Sequence, residues 1–346
     1  MSVLKPLAIT MGDAAGIGPE IIAKAFRDAP ELTRGCFVAG ELSCIRRGAA
    51  AIRDQHHVEL PVAVIDTPAD ALTMPPRCIP LLQTTELDAP VAWGQISAAA
   101  GKAAADCVTW AARAALRGEI AALVTAPLHK EALAAAGIEF PGHTELLQAE
   151  AAAFTGKPLG EMAVRMMLAN DELRTVLVSI HVSLRAAIEA VTVSGVLQTL
   201  RIADAALTGA LGRKPHIGVA GLNPHAGEGG LFGREEIEVI MPAIEAARAE
   251  GLTVSGPLAP DTVFMRARAA GGRPGEFDVV VAMYHDQGLI PVKYLGVEKG
   301  VNVTLGLPLV RTSPDHGTAF DIAGTGRADP SSLLEAIRVA RAMSAA

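Results

Sequence analysis

Residues 7–27 read LAITMGDAAGIGPEIIAKAFR, and this stretch indicates the fold class. The apolar run Leu7–Met11 is predicted to form a buried strand, and Pro19–Arg27 is predicted to form a helix. A Gly-rich turn joins the two. A strand that leads directly into a helix is the repeating unit of a parallel sheet covered by helices, so we expect an α/β protein.

The same alternation continues along the chain. The hydrophobic pattern predicts further strands at Cys36–Ala39, Val62–Ile65, Ala121–Thr125, His216–Gly221 and Val279–Met283. It predicts helices at Ile96–Leu116, Val193–Leu207, Arg234–Glu250 and Ser331–Met343. A hairpin is expected over Met162–Ile180, turning at Asn170-Asp171, and Arg268–Glu276 is expected to be a Gly-rich surface loop.

Length and composition limit the possible classes of protein. A chain of 346 residues is typical of two lobes, and half of its residues are apolar. The net charge of −7 argues against nucleic acid as a partner. No apolar run is long enough to span a membrane, and no signal-peptide pattern follows Met1. The four cysteines form no Cys-x-x-Cys pair, which indicates reduced, packed thiols in a cytoplasmic protein.

Three predicted strands each run into a histidine. TVLVSI ends at His181, IGVAGL leads through Asn223 and Pro224 to His225, and VVVAMY ends at His285. In open α/β sheets, ligands bind outside the carboxyl ends of the strands. Three neutral imidazoles delivered there suit a divalent metal ion that keeps open positions for substrate. Each histidine alone is also consistent with an ordinary polar residue at a strand end, and no HExxH spacing is present.

Two polar motifs accompany these histidines. NPHAGEGG (Asn223–Gly230) either brings backbone N–H groups close to a ligand or forms a tight Gly-rich turn. Asp286 either orients the adjacent imidazole or caps the following helix.

A second set of residues is suited to anion binding. His143 and Thr144 lie in FPGHTE, before a predicted helix whose N-terminus can bind phosphate, although Thr144 alternatively caps that helix. Lys293, Asn302 and Arg311 stand in apolar surroundings and need partners, which a bound anion or an internal salt bridge would supply. Asp315–Thr318 is expected to open a further helix, where it either caps the helix or contacts a cofactor.

The glycines of Gly12–Glu20 do not have the G-x-G-x-x-G spacing of a dinucleotide-binding fingerprint. Pro19 is well placed for the first turn of a helix. A structural turn lining a cleft is at least as consistent with this motif as direct cofactor contact, so no cofactor-binding residue is assigned.

Six motifs together resemble the 4-hydroxythreonine-4-phosphate dehydrogenase family of pyridoxal 5'-phosphate (vitamin B6, pyridoxine) biosynthesis. They are MGDAAGIGPE (Met11–Glu20), TAPLHKEAL (Thr125–Leu133), FPGHTE (Phe140–Glu145), LNPHAGEGG (Leu222–Gly230), AMYHDQG (Ala282–Gly288) and GVNVTLGLPLVRTSPDHGTAFDIAG (Gly300–Gly324). The resemblance covers nearly the whole chain. It implies a two-lobed fold like that of isocitrate and isopropylmalate dehydrogenases, with mostly parallel central sheets and a cleft between lobes. Residues 1–346 would then form one catalytic unit whose chain crosses between lobes more than once.

The resemblance also implies the roles of the site residues. His181, His225 and His285 match metal ligands for zinc, magnesium or cobalt. His143, Thr144, Lys293, Asn302 and Arg311 match substrate-binding residues. The family forms homodimers with the active site at the subunit interface, so His285 is expected to come from the neighbouring subunit.

The implied reaction is a metal-dependent oxidation by NAD or NADP. The phosphorylated hydroxy acid loses a proton and a hydride, and the β-keto acid then loses CO2 to give 3-amino-2-oxopropyl phosphate. The metal and Lys293 would stabilise the enolate. Asp261 and Asp286 are candidates for the general base.

Three alternatives remain open at this point. The motifs also resemble the paralogous 4-phospho-D-threonate and 4-phospho-D-erythronate dehydrogenases of sugar-acid catabolism. A phosphate acyltransferase-like enzyme or a non-catalytic phosphometabolite-binding protein is a more remote alternative, because neither uses the three histidines.

Overall fold

The chain folds into two compact units, each of which combines strands with helices. The computed structural model describes residues 5–52 and 60–345. One unit comprises Met1–Ala163 and Leu307–Ser344, and the other comprises Val164–Gly306 with Ala345–Ala346. The chain therefore leaves the first unit after its fifth strand and returns to it for the last strand and the last long helix.

The first unit contains a six-stranded sheet in which every pair of neighbours is parallel. Its strands are β1 (Leu7–Thr10), β2 (Cys36–Gly40), β3 (Val62–Val64), β4 (Ile79–Gln83), β5 (Ala122–Thr125) and β12 (Arg311–Pro314). Their order in the sheet is β3-β4-β2-β1-β5-β12. Its helices are α1 (Gly18–Asp28), α2 (Pro30–Thr33), α3 (Leu42–Ala51), α4 (Ala98–Leu116), α5 (Lys130–Ala135), α6 (His143–Thr155) and α12 (Ser331–Ser344).

The opening strand–turn–helix forms as predicted. β1 is fully buried between β2 and β5, and α1 begins at Gly18 with Pro19 in its first turn. Gly12 has a φ of 73°, and a Cβ there would stand 2.5 Å from the carbonyl oxygen of Pro127. The glycine at position 12 therefore serves the packing of the turn itself, which favours the structural interpretation of this motif.

The second unit contains a mixed sheet. Its strands are β6 (Arg165–Ala169), β7 (Arg174–Leu177), β8 (His216–Ala220), β9 (Thr253–Leu258), β10 (Val279–Ala282) and β11 (Val301–Leu305). In the order β11-β6-β7-β10-β8-β9, the first two pairings are antiparallel and the last three are parallel. Its helices are α7 (Leu184–Ala190), α8 (Val193–Leu211), α9 (Met241–Ala249), α10 (Val263–Ala267) and α11 (His285–Tyr294).

The predicted hairpin is present as β6 and β7. Asn170 supplies its turn, because the side-chain Oδ1 accepts hydrogen bonds from the backbone N–H groups of Glu172 and Leu173, both at 2.9 Å. Its Nδ2 donates to the carbonyl of Val292 at 3.0 Å. One buried side chain therefore fixes the turn and attaches it to α11.

Several sequence-based expectations need correction. The helix expected over Arg234–Glu250 begins as a π-helix at Glu236–Ile240 before α9 continues it. The helix expected after Asp315–Thr318 is absent, and turns occupy residues 320–326 instead. Strands β4 and β9 were not predicted because Pro80 and Pro257 interrupt their apolar patterns.

The fold class is nevertheless confirmed as α/β with mostly parallel strands. The four cysteines are free and buried, as the packed-thiol interpretation predicted. Within residues 5–52 and 60–345, no single helix has the length and apolar character needed to cross a bilayer; α7 and α8 meet those criteria only as a pair bent by 84°.

Candidate active site

Three adjacent parallel strands of the second unit lead into the three predicted metal ligands. β7, β10 and β8 are neighbours in that order. His181 lies shortly after β7, His285 begins α11 after β10, and His225 lies in the loop after β8. Because parallel strands end at the same edge of a sheet, the fold delivers all three imidazoles to one edge.

His181 and His285 lie close together. Their ring centroids are 5.7 Å apart, and the ring planes are tilted by 44°. The Nδ1 of His285 shares a 2.7 Å hydrogen bond with Oδ1 of Asp286, which leaves Nε2 for another partner. This contact is the one that an orienting role for Asp286 would need. The capping alternative is wrong, because Tyr284 is the N-cap and makes no side-chain cap.

Within one chain, the three histidines meet only part of what a divalent-ion site requires. Neutral imidazoles bind zinc at about 2.0–2.1 Å, and the spacing of the His181 and His285 rings is compatible with a shared ion. Across the part of the chain that the structure describes, however, no three His, Cys, Asp or Glu side chains are grouped closely enough to hold one.

The loop that carries His225 has an unusual backbone. His225, Ala226, Gly227, Glu228 and Gly229 are all left-handed, with φ between 43° and 80°. Left-handed conformation costs about 1–2 kcal/mol for each residue that has a Cβ. Surrounding contacts must therefore hold this loop in shape.

Asp261 lies at the same edge of the second unit. It follows β9, which pairs with β8 in parallel, and it is exposed in the turn before α10. Its position beyond a strand end next to β8 is compatible with a role in proton transfer. Asp286, the other candidate base, is committed to His285.

Arg311 occupies a buried position in the first unit. It starts β12, is only 6% exposed, and donates hydrogen bonds from Nε and Nη2 to Oγ1 of Thr125 at 3.1 and 2.7 Å. Burial lowers the pKa of its guanidinium to about 10, against a smaller opposing effect of Glu145. The group is still a cation at neutral pH, so the protein holds a buried positive charge suited to an anion.

His143 lies beside this cation at the start of α6. Burial, together with the charge of Arg311, holds the pKa of the imidazole well below its ordinary value, and a hydrogen bond to the backbone of Ala126 opposes that shift. Nε2 is buried without a hydrogen-bond partner among the described residues. A neutral ring with one unsatisfied nitrogen is a ready partner for a ligand.

Thr144 does not cap α6, so the capping alternative is wrong. The N-cap is Gly142, whose extended backbone provides no side-chain hydrogen bond. The first-turn N–H groups of a 13-residue helix therefore have no side-chain cap beside His143 and Arg311. That arrangement suits a phosphate or carboxylate.

Lys293 and Asn302 lie in the second unit. Lys293 is in the last turn of α11, about 12 Å along the helix axis from His285 at 1.5 Å per residue. Asn302 lies on β11, opposite Leu168 of β6. Both side chains are partly buried and make polar interactions within the protein.

Sequence reasoning missed two polar residues that support the candidate site residues. Thr125 was predicted only as a strand residue, yet it is the hydrogen-bond partner of Arg311. Glu236 was placed in an ordinary helix, yet its carboxyl group supports the His225 loop. Neither role leaves a signal in residue type or spacing. Thr125 meets Arg311 only because β5 pairs with β12, and Glu236 meets its loop only because the intervening chain folds back.

Asp13 and His129 form a further polar region in the first unit. Asp13 is fully buried, and burial raises the pKa of its carboxyl group against the effects of the Ala15 backbone and His129. The ring of His129 stacks on Phe320 with centroids 4.7 Å apart. The turn after β1 thus places a carboxyl group near the end of β5, at the ligand-binding edge typical of such sheets.

Comparison with known proteins identifies relatives over the full length of the chain. Residues 33–340 match the family model described as pyridoxal phosphate biosynthetic protein PdxA. A 4-hydroxythreonine-4-phosphate dehydrogenase from Beijerinckia indica is 51% identical, covering 95% of this chain and 92% of that protein. A D-threonate 4-phosphate dehydrogenase from Pectobacterium atrosepticum is 43% identical, covering 97% and 98% respectively.

The structural comparison agrees. The crystal structure of a 4-hydroxythreonine-4-phosphate dehydrogenase from Klebsiella pneumoniae superposes with a TM-score of 0.86 at 42% identity, covering 99% of this chain and 98% of that one.

Proposed function

This chain belongs to the PdxA family, and on that premise we propose that it is an NAD(P)-dependent dehydrogenase that oxidises 4-phosphohydroxy-L-threonine in pyridoxal 5'-phosphate biosynthesis. The observation that carries the proposal is the delivery of three histidines by adjacent parallel strands in a chain so similar to dehydrogenases of that name. We propose that residues 1–346 work as a single catalytic unit in the cytoplasm.

The proposed metal ligands are His181, His225 and His285, with zinc, magnesium or cobalt as the ion. A divalent ion held there would act as a Lewis acid towards the substrate hydroxyl and lower its pKa. Asp286 orients the ring of His285 through its 2.7 Å hydrogen bond, so that Nε2 is the nitrogen available for binding.

The proposed anion site of the first unit consists of Arg311, His143 and Thr144. In the second unit, Lys293 and Asn302 are proposed as substrate-binding residues. Arg311 is preorganised by Thr125, and the unpartnered Nε2 of His143 lies in the same region. These groups hold the phosphorylated acid and orient its hydroxyl-bearing carbon. Fixing the substrate in this way lowers the entropic part of the activation barrier.

The proposed chemistry has two steps. The substrate hydroxyl loses its proton to a base, for which Asp261 is the better-placed candidate, and the β-carbon transfers a hydride to NAD(P)+. The resulting β-keto acid then loses CO2. Lys293 stabilises the enolate that remains, and protonation of its α-carbon gives 3-amino-2-oxopropyl phosphate.

A second substrate has direct support from the comparisons. D-threonate 4-phosphate dehydrogenases are 43–45% identical to this chain, close to the range of several biosynthetic relatives. The two substrates differ by an amine or a hydroxyl on one carbon. Oxidation of 4-phospho-D-threonate or 4-phospho-D-erythronate is therefore the alternative activity.

The deciding experiment compares kcat/KM for the amino and hydroxy substrates with NAD+ and NADP+. We expect the amino substrate to be preferred, with reduced-nicotinamide absorbance abolished by chelation and restored by zinc, magnesium or cobalt. Preference for the hydroxy substrate would establish the catabolic alternative. Turnover of neither substrate, in protein shown to be folded and metal-loaded, would overturn the proposal.

We also propose a homodimer in which His285 of the neighbouring subunit completes each metal site. Several apolar side chains that flank His181 and His225 in sequence are exposed in the single chain, as expected of a surface that a second subunit would cover. They are Val182, Leu184, Ile188, Leu231 and Phe232, between 43% and 74% exposed. The alternative arrangement is a site completed by a single subunit, which would use the 5.7 Å approach of His181 to His285 within one chain.

Mixing two inactive variants distinguishes these arrangements. A dimer of one His225→Ala and one His285→Ala subunit contains one intact site if His285 is shared across subunits, and none if it is not. Statistical mixing of a two-fold dimer then restores about a quarter of wild-type activity. No recovery in mixed dimers of confirmed composition would place all three ligands in one chain.

A further inference from the structure

The buried carboxyl group of Glu236 contacts the loop that carries His225. Glu236 is only 3% exposed and is the first residue of the π-helix. Its Oε1 accepts hydrogen bonds from the backbone N–H groups of Leu222 and Asn223, each at 2.7 Å. Its Oε2 accepts from Nδ2 of Asn223 at 3.0 Å. Three hydrogen-bond donors of the residues that lead into the left-handed loop are therefore bound by one side chain.

The loop is shaped around that carboxyl group. A Cβ at Gly227 would stand 2.7 Å from Oε2 of Glu236, and Gly227 has a φ of 80°. Only a residue without a side chain allows the loop to close so tightly on the carboxyl group. The left-handed backbone at His225 and the position of Glu236 are thus parts of one packed arrangement.

The π-helix supplies the placement of Glu236. A π-turn adds one residue to the helix and is frequently found at functional sites. Glu236 points into the protein, whereas Glu238 on the same π-turn is 58% exposed and pairs with Arg234. The irregular turn therefore directs one carboxyl group at the loop and leaves the other in solvent.

A separate contact ties the beginning of this loop to the helix of His285. Gln287 donates from Nε2 to the carbonyl of Gly221 at 2.7 Å, and its Oε1 accepts from the N–H of Met283 at 2.7 Å. Gly221 is thereby fixed relative to the start of α11. The next two residues are fixed by Glu236, so the position of the His225 loop within its own subunit depends on both contacts.

We propose that Glu236 is a positioning residue that holds the His225 imidazole where it binds the divalent ion, an inference that rests on the metal site proposed above. Glu236 acts through the loop backbone and makes no contact with the ion or the substrate. Removing its carboxyl group releases Leu222 and Asn223, and the strained loop then relaxes towards ordinary backbone angles. His225 remains present but leaves its binding position.

The test measures binding of Co2+ alone to the full-length apo-protein, by titration calorimetry and by the visible spectrum of the bound ion. Loss of contacts that orient metal ligands lowers affinity by about 10–100-fold, and we expect Glu236→Ala to raise the Kd for Co2+ by that factor. Glu238→Ala, on the same π-turn, is the matched control and should leave both the Kd and the spectrum unchanged.

The Glu236→Gln variant is the control for an effect that comes only from unfolding. The Gln carbonyl oxygen can still accept from Leu222 and Asn223, so this variant should recover part of the affinity and the wild-type spectrum. A merely structural role predicts lower thermal stability for both variants with an unchanged Kd and spectrum in the folded protein, and that result would overturn the proposal.

His225→Ala separates the two levels of inference. If His225→Ala leaves Co2+ binding unchanged, the proposed metal site is wrong. If His225→Ala abolishes binding while folded Glu236→Ala and Glu236→Gln bind like the wild type, the metal site stands and the role of Glu236 is refuted.

Discussion

Arg311 offers a prediction in which stability and function change in opposite directions. Its guanidinium is buried, and its pKa falls from 12.5 to about 10 because burial disfavours the cation. At about 1.36 kcal/mol per pKa unit, burial of this charge costs the free protein on the order of 3 kcal/mol. We expect a bound substrate anion to offset that cost.

Arg311→Met keeps much of the side-chain volume and removes the charge. Oγ1 of Thr125 then loses the hydrogen bonds from Nε and Nη2, which costs about 1–2 kcal/mol. The free energy of unfolding is therefore expected to stay constant or to rise by about 1–2 kcal/mol. Substrate binding loses a buried, charge-assisted contact worth about 2–5 kcal/mol, so KM should rise at least about 30-fold.

The assay combines denaturant unfolding of the apo-protein with steady-state kinetics. Arg341→Met is the matched control, because Arg341 also lies in the first unit and donates its hydrogen bonds there to the backbone carbonyl of Leu32. The control should lose stability and keep its KM. If Arg311→Met lost stability while its KM stayed unchanged, Arg311 would be a structural residue and the proposed anion site would be wrong.

Substitutions of His143, Asp286 and Asn170 provide three further tests. His143→Gln should weaken the loss of stability at acid pH. The pKa of His143 is lowered in the folded state, so the unfolded state takes up the proton first as the pH falls below about 6.5. The free energy of unfolding of the wild type should then fall by up to about 1.4 kcal/mol per pH unit more than that of the variant, as measured by denaturant unfolding. Equal slopes would contradict the burial of a neutral ring. Asp286→Asn should weaken Co2+ binding by about 10–100-fold in calorimetry because the ring of His285 loses its carboxylate partner, and unchanged affinity would show that Asp286 does not orient it. Asn170→Ala should lower the free energy of unfolding by about 2–3 kcal/mol, since a buried side chain gives up three hydrogen bonds, whereas Asp171→Ala beside it, exposed, should have a much smaller effect.

The sequence predicted the elements whose local pattern is strong. The strand–turn–helix at Leu7–Arg27 and the Asn170 hairpin follow from apolar periodicity and turn chemistry within a few residues. β12 escaped prediction because RTSP is a polar stretch, although all four of its residues are buried. Its burial depends on pairing with β5, which a local pattern does not contain.

The candidate site was predictable to a similar extent. The histidines could be recognised because each follows an apolar run, and the structure places those runs side by side as β7, β10 and β8. The supporting contacts could not be recognised. Glu236 reaches its loop only because a π-turn interrupts a helix whose sequence is typical of a regular α-helix, so tertiary packing determines its role.

The most direct test of the proposed metal-dependent dehydrogenase is a Co2+ titration of metal-free protein that follows bound metal and nicotinamide reduction together. We expect activity to rise in proportion to occupancy up to one ion per subunit, and folded His225→Ala to show neither binding nor activity. Full activity in the metal-free protein, or wild-type binding and turnover in His225→Ala, would contradict it.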